Sequence, residues 1–209
     1  MDMNVLVING SPHKKGCTYT ALMEVASVLN REGISTSEFH IGTQAVRPCI
    51  ACGACAKTGY CAFNEDRVNE AIDLAQKSDG ILVGSPVYYA APNGSLCAFL
   101  DRMFFMKGYK FAFKPAAAIV SCRRGGASAA FDRLNKYFTI CNMPVVPSQY
   151  WNSVHGMTPA EVRRDLEGMQ VMRTLGRNMA WLLKCIDAAK LTVPYPKHED
   201  RVSTNFIRE

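Results

Sequence analysis

The chain has 209 residues, 48% hydrophobic and 20% charged, a length and balance that bury a core without disulfides or metals and predict a single domain over 1–209. No stretch approaches the ~18 apolar residues of a membrane span, and the opening MDMNVLVING lacks the regions of an export signal, so a cytoplasmic protein with no membrane partner is expected. The net charge of +6 comes from scattered Lys and Arg, which argues against nucleic acid and for anionic small molecules or an acidic protein partner.

In chain order, NVLVING (4–10) is a wholly apolar, β-branched strand buried on both faces, ending at Gly10-Ser11-Pro12. Leu22, Val25, Ala26 and Leu29 then carry helical spacing, with Gly33 as its stop. ISTSEFHI (34–41) alternates imperfectly, as an edge strand would. Val68, Ala71, Ile72 and Ala75 mark a second helix, with Asn64 as the expected N-cap. GILVGSP (80–86) repeats the first strand and its Gly-Ser-Pro ending, and Leu96, Phe99, Leu100 and Met103 follow as a helix face. AAAIVSC (116–122) is another buried strand, backed by Ala130, Leu134 and Phe138. MPVVPSQ (143–149) is expected to supply one more strand. Thr158-Pro159-Ala160-Glu161 is a capping-box start for a last helix running through Met172, Leu175, Met179 and Ile186. The segment 189–209, rich in charge and holding two prolines, is expected to be an extended C-terminal arm. Strands alternating with helices imply right-handed βαβ units and a parallel sheet.

In such a sheet the loops after the first, third and fourth of these strands share one edge, where ligands bind. NGSPHKKGCTYT offers the hydroxyls of Ser11, Thr18 and Tyr19 and the N–H groups of a helix start, a phosphate cradle that is neither a Walker loop nor a dinucleotide fingerprint. SPVYYAAPNGS brings Pro86, Tyr88 and Tyr89, which suit a flat ring or a subunit contact. SCRRGGAS adds backbone donors at Gly125 and Gly126 and cations at Arg123 and Arg124.

CIACGACAKTGYC (49–61) is a cysteine loop, C-x2-C-x2-C-x5-C. In a reducing compartment clustered thiols are ligands or reactive groups before they are disulfides. The short spacings let thiolates converge, and Gly53 and Gly59 permit the turns; iron–sulfur ligation, zinc and metal-free thiols all remain open at this point. Cys97, Cys122, Cys141 and Cys185 fall in expected core elements as small buried residues.

VLVINGSPHKKGCTYT, CIACGACAKTGYC, GILVGSPVYYAAPNGSLCAFLDR and SCRRGGAS resemble, in order and spacing, the NADPH-dependent FMN reductase and iron–sulfur flavoprotein family. The resemblance implies an α/β, flavodoxin-like three-layer sandwich with a five-stranded parallel sheet of order 2-1-3-4-5. It implies an FMN phosphate bound by Ser11, His13, Gly16, Cys17 and Thr18, and a ring bounded by Pro86, Val87, Tyr88 and Tyr89, with Cys122, Arg123, Gly125 and Gly126 at its edge. His13 stands where the family often has Arg and Cys17 where it usually has Asn. It further implies a [4Fe-4S] cluster on Cys49, Cys52, Cys55 and Cys61.

The expected function is an FMN oxidoreductase passing electrons from NAD(P)H or a ferredoxin, through FMN and the cluster, to a small-molecule or protein acceptor. No acid–base residue is assigned, because the flavin carries the chemistry. Two other classes stand beside it: an electron carrier with no substrate of its own, and a thiol or zinc redox sensor. The positive charge suits an acidic ferredoxin, and a homodimer or homotetramer is expected.

Overall fold

Residues Asn4–Asn9 form β1, an inner strand of the sheet, in a computed structural model that describes residues 3–197, 199, 200, 202–204, 206 and 207 and leaves aside the side chains of 106 and 107. β1 pairs in parallel with β2 (Ser35–His40), Val5 opposite Thr36, and with β3 (Gly80–Tyr88), Val5 opposite Gly80. β3 pairs with β5 (Ala116–Cys122), and β5 with the edge strand β6 (Ser153–His155). The dipeptide β4 (Ala91–Pro92) folds back antiparallel on the end of β3. The path is β2-β1-β3-β5-β6, so the parallel strands, counted without β4, follow the expected 2-1-3-4-5.

Alternation along each strand decides which layer a residue joins. Val5, Val7, Leu82, Ala117 and Ile119 point toward α1 (Cys17–Arg31) and α7 (Leu166–Ala189). Leu6, Ile8, Ile81, Val83, Ala118 and Val120 point toward α3 (Val68–Lys77), α4 (Gly94–Lys107) and α5 (Ala127–Ile140). Between β2 and α3 lies the five-residue α2 (Ala54–Thr58), and before α7 the short α6 (Pro159–Arg164). Each fully buried Leu, Ile or Phe contributes roughly 1.5–3 kcal/mol. α1 lies close against β3 because Gly84 has no Cβ: one placed there would stand 2.8 Å from Leu22 and 2.9 Å from Thr18.

Four expectations change. MPVVPSQ is not a strand: it touches β5 only through an isolated bridge, Val145 opposite Ala116, because Pro144 and Pro147 cannot donate to a ladder, and pairing resumes at β6. The last helix is two helices, broken at Asp165 (φ −74°, ψ 84°), whose carboxylate accepts from Gly168 N–H at 2.9 Å and so caps α7. Arg67, not Asn64, is the N-cap of α3; Asn64 accepts instead from Asn69 Nδ2 at 2.7 Å. Cys185 is exposed rather than in the core, and Cys97 and Cys141 are half-buried. The capping box is half as expected: Thr158 accepts from Glu161 N–H, while Glu161 reaches back to the N–H of Met157.

Of the arm expected over 189–209, residues 198, 201, 205, 208 and 209 lie outside the described residues. Helix α7 runs to Ala189, and Tyr195 then stacks on Phe113 at 4.9 Å. Among the described residues no helix is long and apolar enough to cross a membrane.

Candidate functional site

The C-terminal ends of β1, β3 and β5 bring the three loops together. Gly10 N–H donates to the Gly84 carbonyl at 2.8 Å, joining the first loop to the second. Thr18 Oγ1 and Ser121 Oγ lie 2.8 Å apart, both buried, joining the first to the third. Asn93, at the N-cap of α4, donates from Nδ2 to the Gly10 carbonyl at 2.8 Å and from its N–H to Ser85 Oγ at 2.9 Å.

The first loop is wound on itself. Asn9 Oδ1 accepts from Ser11 N–H at 3.0 Å, Asn9 Nδ2 donates to the Lys14 carbonyl at 3.2 Å, and Ser11 Oγ accepts from His13 N–H at 3.1 Å. His40 Nε2 lies 2.7 Å from the Ser11 carbonyl. Ser11 and Thr18 are therefore buried and bonded inside the protein, unlike the open hydroxyls that the sequence suggested. Exposed at this rim are His13, Lys14 and Lys15. α1 starts at Gly16 without a side-chain cap and without an acidic residue in its first turn, which leaves its first N–H groups and the positive end of its dipole for an anion. Cys17 Sγ donates to the Gly156 carbonyl at 3.7 Å, and burial pushes this thiol up, so it is a neutral group at the rim.

The second loop is a tight hairpin in which Val87 faces Pro92 and Tyr88 faces Ala91. Its tip, Tyr89 (φ 50°) and Ala90 (φ 59°), is left-handed at two non-glycine residues, a strained arrangement of the kind found at functional sites. Pro86 and Val87 are half-buried, Tyr88 is exposed and Tyr89 fully so. The tip rests on Gly126 (φ 86°), the uncapped start of α5, where a Cβ would stand 2.7 Å from Ala90 Cα. Arg123, Arg124 and Gly125 are exposed beside it, and Cys122 is buried with its thiol pushed up by burial. Gly156 N–H donates to the Cys122 carbonyl at 3.0 Å, adding the end of β6 to the same edge.

The cysteine loop leaves the same edge after β2. Gly53 (φ 70°) and Gly59 (φ 74°), both left-handed, bracket α2 as the turns require. Cys49, Cys52, Cys55 and Cys61 line one pocket with Phe63 and Arg102. Cys49 and Cys52 are exposed, Cys55 and Cys61 half-buried. Asn69 clamps Cys61 by its N–H (3.0 Å) and carbonyl (3.1 Å), and Arg102 Nε donates to its sulfur at 3.1 Å. Burial pushes the Arg102 guanidinium down, but its bonds to Asp66 and Cys61 outweigh this and leave it above the ordinary arginine value. Four thiols on one pocket are the donor set of a tetrathiolate centre, so the chemistry of these residues fits such a group, although among the described residues no three potential ligands converge on one point.

Sequence reasoning missed Asn9, His40 and Asn93, which hold the loops, and Arg102, which holds the cysteines. Only Arg102 carried a signal, as a charge within the apolar run CAFLDRMFF.

The sequence pattern of the family described as NADPH-dependent FMN reductase matches residues 3–158. The chain is 30% identical over 192 residues to an iron–sulfur flavoprotein of Methanocaldococcus jannaschii, covering 88% of this chain and 99% of that one. It is 27% identical over 188 residues to an iron–sulfur flavoprotein of Methanosarcina thermophila, covering 88% and 97%. Among solved structures, a WrbA-like flavodoxin protein of Agrobacterium tumefaciens aligns with TM-score 0.61 and 14% identity over 88% of this chain and 99% of that one, a likeness of fold.

Proposed function

Because the chain belongs to the NADPH-dependent FMN reductase family, we propose that it is an FMN-dependent oxidoreductase that takes electrons from NAD(P)H or a ferredoxin and passes them, by way of a [4Fe-4S] cluster on Cys49, Cys52, Cys55 and Cys61, to a small-molecule or protein acceptor. The observation that carries the reading is the meeting, at one sheet edge, of an uncapped helix start, a strained aromatic hairpin and a four-thiol pocket.

Bound FMN supplies the redox chemistry, exchanging electron pairs with a nicotinamide and single electrons with a one-electron partner. The protein's part is binding and exclusion of water. The N–H groups of Cys17 and Thr18 would receive the phosphate, with Lys14 and Lys15 adding charge and His13 a further donor, while Gly16, whose own N–H donates to the His13 carbonyl at 3.3 Å, shapes the turn that admits it. Since the Ser11 and Thr18 hydroxyls are engaged elsewhere, these two residues act through loop shape and backbone. Pro86, Val87, Tyr88 and Tyr89 bound the ring on one side; Gly125 and Gly126 offer N–H donors to its polar edge, beside Cys122. Arg123 and Arg124 extend the cationic rim, which suits an acidic ferredoxin. Assembly as a homodimer or homotetramer belongs to the same proposal, supported by the apolar surface at Phe105, Tyr109 and Ile140.

Anaerobic purification followed by a visible spectrum and by FMN, iron and sulfide assays tests this reading. Flavin bands with a broad cluster shoulder and about four irons per chain are expected. Protein that binds FMN but no iron would remove the cluster; protein that binds neither would remove the whole proposal.

A further inference from the structure

Arg102 is 2% exposed on the core face of α4, where an unpaired charge would be severely destabilising. Its donors are instead distributed over the cysteine loop. Nε bonds to Cys61 Sγ at 3.1 Å; Nη1 bonds to the Asp66 carboxylate and to the Arg47 carbonyl at 3.3 Å; Nη2 bonds to the Phe63 carbonyl at 3.1 Å. The guanidinium also lies 5.3 Å from the centre of the Phe63 ring. Arg47 stands two residues before the first cysteine and Phe63 two after the last, so one planar cation holds both ends of the loop and one of its four sulfurs. Asp66, itself buried, fixes the plane of the fork.

Resting on the cluster reading above, we propose that Arg102 is the positioning residue of the four-cysteine site: it closes the loop around the cluster and donates a hydrogen bond to the Cys61 ligand sulfur. Such a bond strengthens as negative charge accumulates on sulfur. It therefore favours the reduced, more negative centre over the oxidised one and raises the reduction potential. An ammonium at position 102 keeps the charge but not the fork that reaches sulfur, carboxylate and two carbonyls together.

The test compares the holoprotein with Arg102→Lys and with the double variant Arg102→Gln, Asp66→Asn, which removes both buried charges without leaving either unpaired. The readouts are iron and FMN content, far-UV circular dichroism, the EPR spectrum of the reduced cluster and its potential in an anaerobic dye titration. In the double variant the equilibrium constant for one-electron reduction should fall about tenfold, 59 mV, with altered EPR g-values and unchanged FMN. The lysine variant should show a smaller fall in the same direction. Iron lost from a folded, FMN-bound variant also supports the proposal. A cluster assembled at the wild-type potential in either variant overturns it, and so does failure of both variants to fold, which would make Arg102 a brace of the core. Wild-type protein free of iron would defeat the cluster reading itself, and this proposal with it.

Discussion

Asn93 and Gly10, 83 positions apart in the chain, are joined by a 2.8 Å hydrogen bond from the Asn93 amide to the Gly10 carbonyl. The same side chain accepts from Ser95 N–H at 3.1 Å, capping α4, so one residue starts a helix and fixes the gap between the phosphate loop and the aromatic hairpin. Asn93→Ala removes both, about 1 kcal/mol for the cap and about 1 kcal/mol for the loop bond. A fall in melting temperature of roughly 4–8 °C and weaker FMN binding are expected. Asn93→Asp keeps the cap and loses only the donor, so calorimetry should show most stability retained while FMN affinity still falls. Equal affinity in all three proteins would dissociate Asn93 from the site.

Neighbouring glycines 125 and 126 should respond in opposite ways. A Cβ at Gly125 meets nothing within 4 Å, so Gly125→Ala should shift unfolding free energy by no more than about 0.5 kcal/mol. At Gly126, φ 86° costs an L-residue about 1–2 kcal/mol, and the new Cβ would be driven into Ala90 at the hairpin tip. Gly126→Ala should therefore cost roughly 2–4 kcal/mol in urea titrations. If the Gly125 backbone lies against the flavin ring, the added Cβ of Gly125→Ala will crowd the ring and weaken FMN binding without moving the melting temperature of FMN-free protein.

What local chemistry decides is legible in the sequence. β1, β3 and β5 are uninterrupted apolar runs because both faces are covered, and the turn residues that follow each run mark the binding edge. The loop from Cys49 to Cys61 stands out by its spacing alone. What stays hidden depends on partners far along the chain. Nothing near Ser11 says that its hydroxyl is spent on His13 N–H and its carbonyl on His40, and nothing near Asn93 points to Gly10. The misplaced final strand has the same origin: 143–149 reads as a strand because Val145 and Val146 are apolar, yet two prolines limit it to a bridge. Asp165 breaks the last helix because its carboxylate holds both Gly168 N–H and His155 N–H, a tertiary demand that overrides helical periodicity.

Tyr137 supplies a pH test. It is 6% exposed, donates to Asp101 Oδ1 at 2.5 Å and accepts from Arg133 Nη2 at 3.0 Å. Burial, reinforced by the Asp101 carboxylate, pushes its phenol far above the ordinary tyrosine value. A raised folded value means that its contribution is complete below the unfolded pKa of about 10 and is lost as pH rises beyond it. By pH 10.5 the loss from this residue is about 0.8 kcal/mol. Urea unfolding at pH 8 and 10.5 should show Tyr137→Phe less stable at pH 8 by about 1 kcal/mol, yet less sensitive to the rise. Parallel losses in the two proteins would assign the alkaline effect elsewhere.

The uncapped start of α1 makes a claim about which part of the ligand is held most firmly. If the phosphate sits there, riboflavin, which shares the ring but lacks the phosphate, should bind at least tenfold more weakly than FMN, a difference of about 1.4 kcal/mol. Much of this contact is charge-assisted, through backbone N–H groups and the exposed Lys14 and Lys15, so raising salt from 0.05 M to 0.5 M should narrow the gap. Lys14→Gln with Lys15→Gln should narrow it as well, chiefly at low salt, because the backbone cradle remains. Removal of FMN should lower the melting temperature by an amount that grows with the FMN concentration of the reference sample, with about 2.7 kcal/mol lost relative to protein held at one hundred times Kd. Fluorescence titrations with the two flavins read the comparison directly. Equal affinity for riboflavin and FMN would place the binding energy in the Pro86 to Tyr89 hairpin and leave the helix start without the role assigned to it.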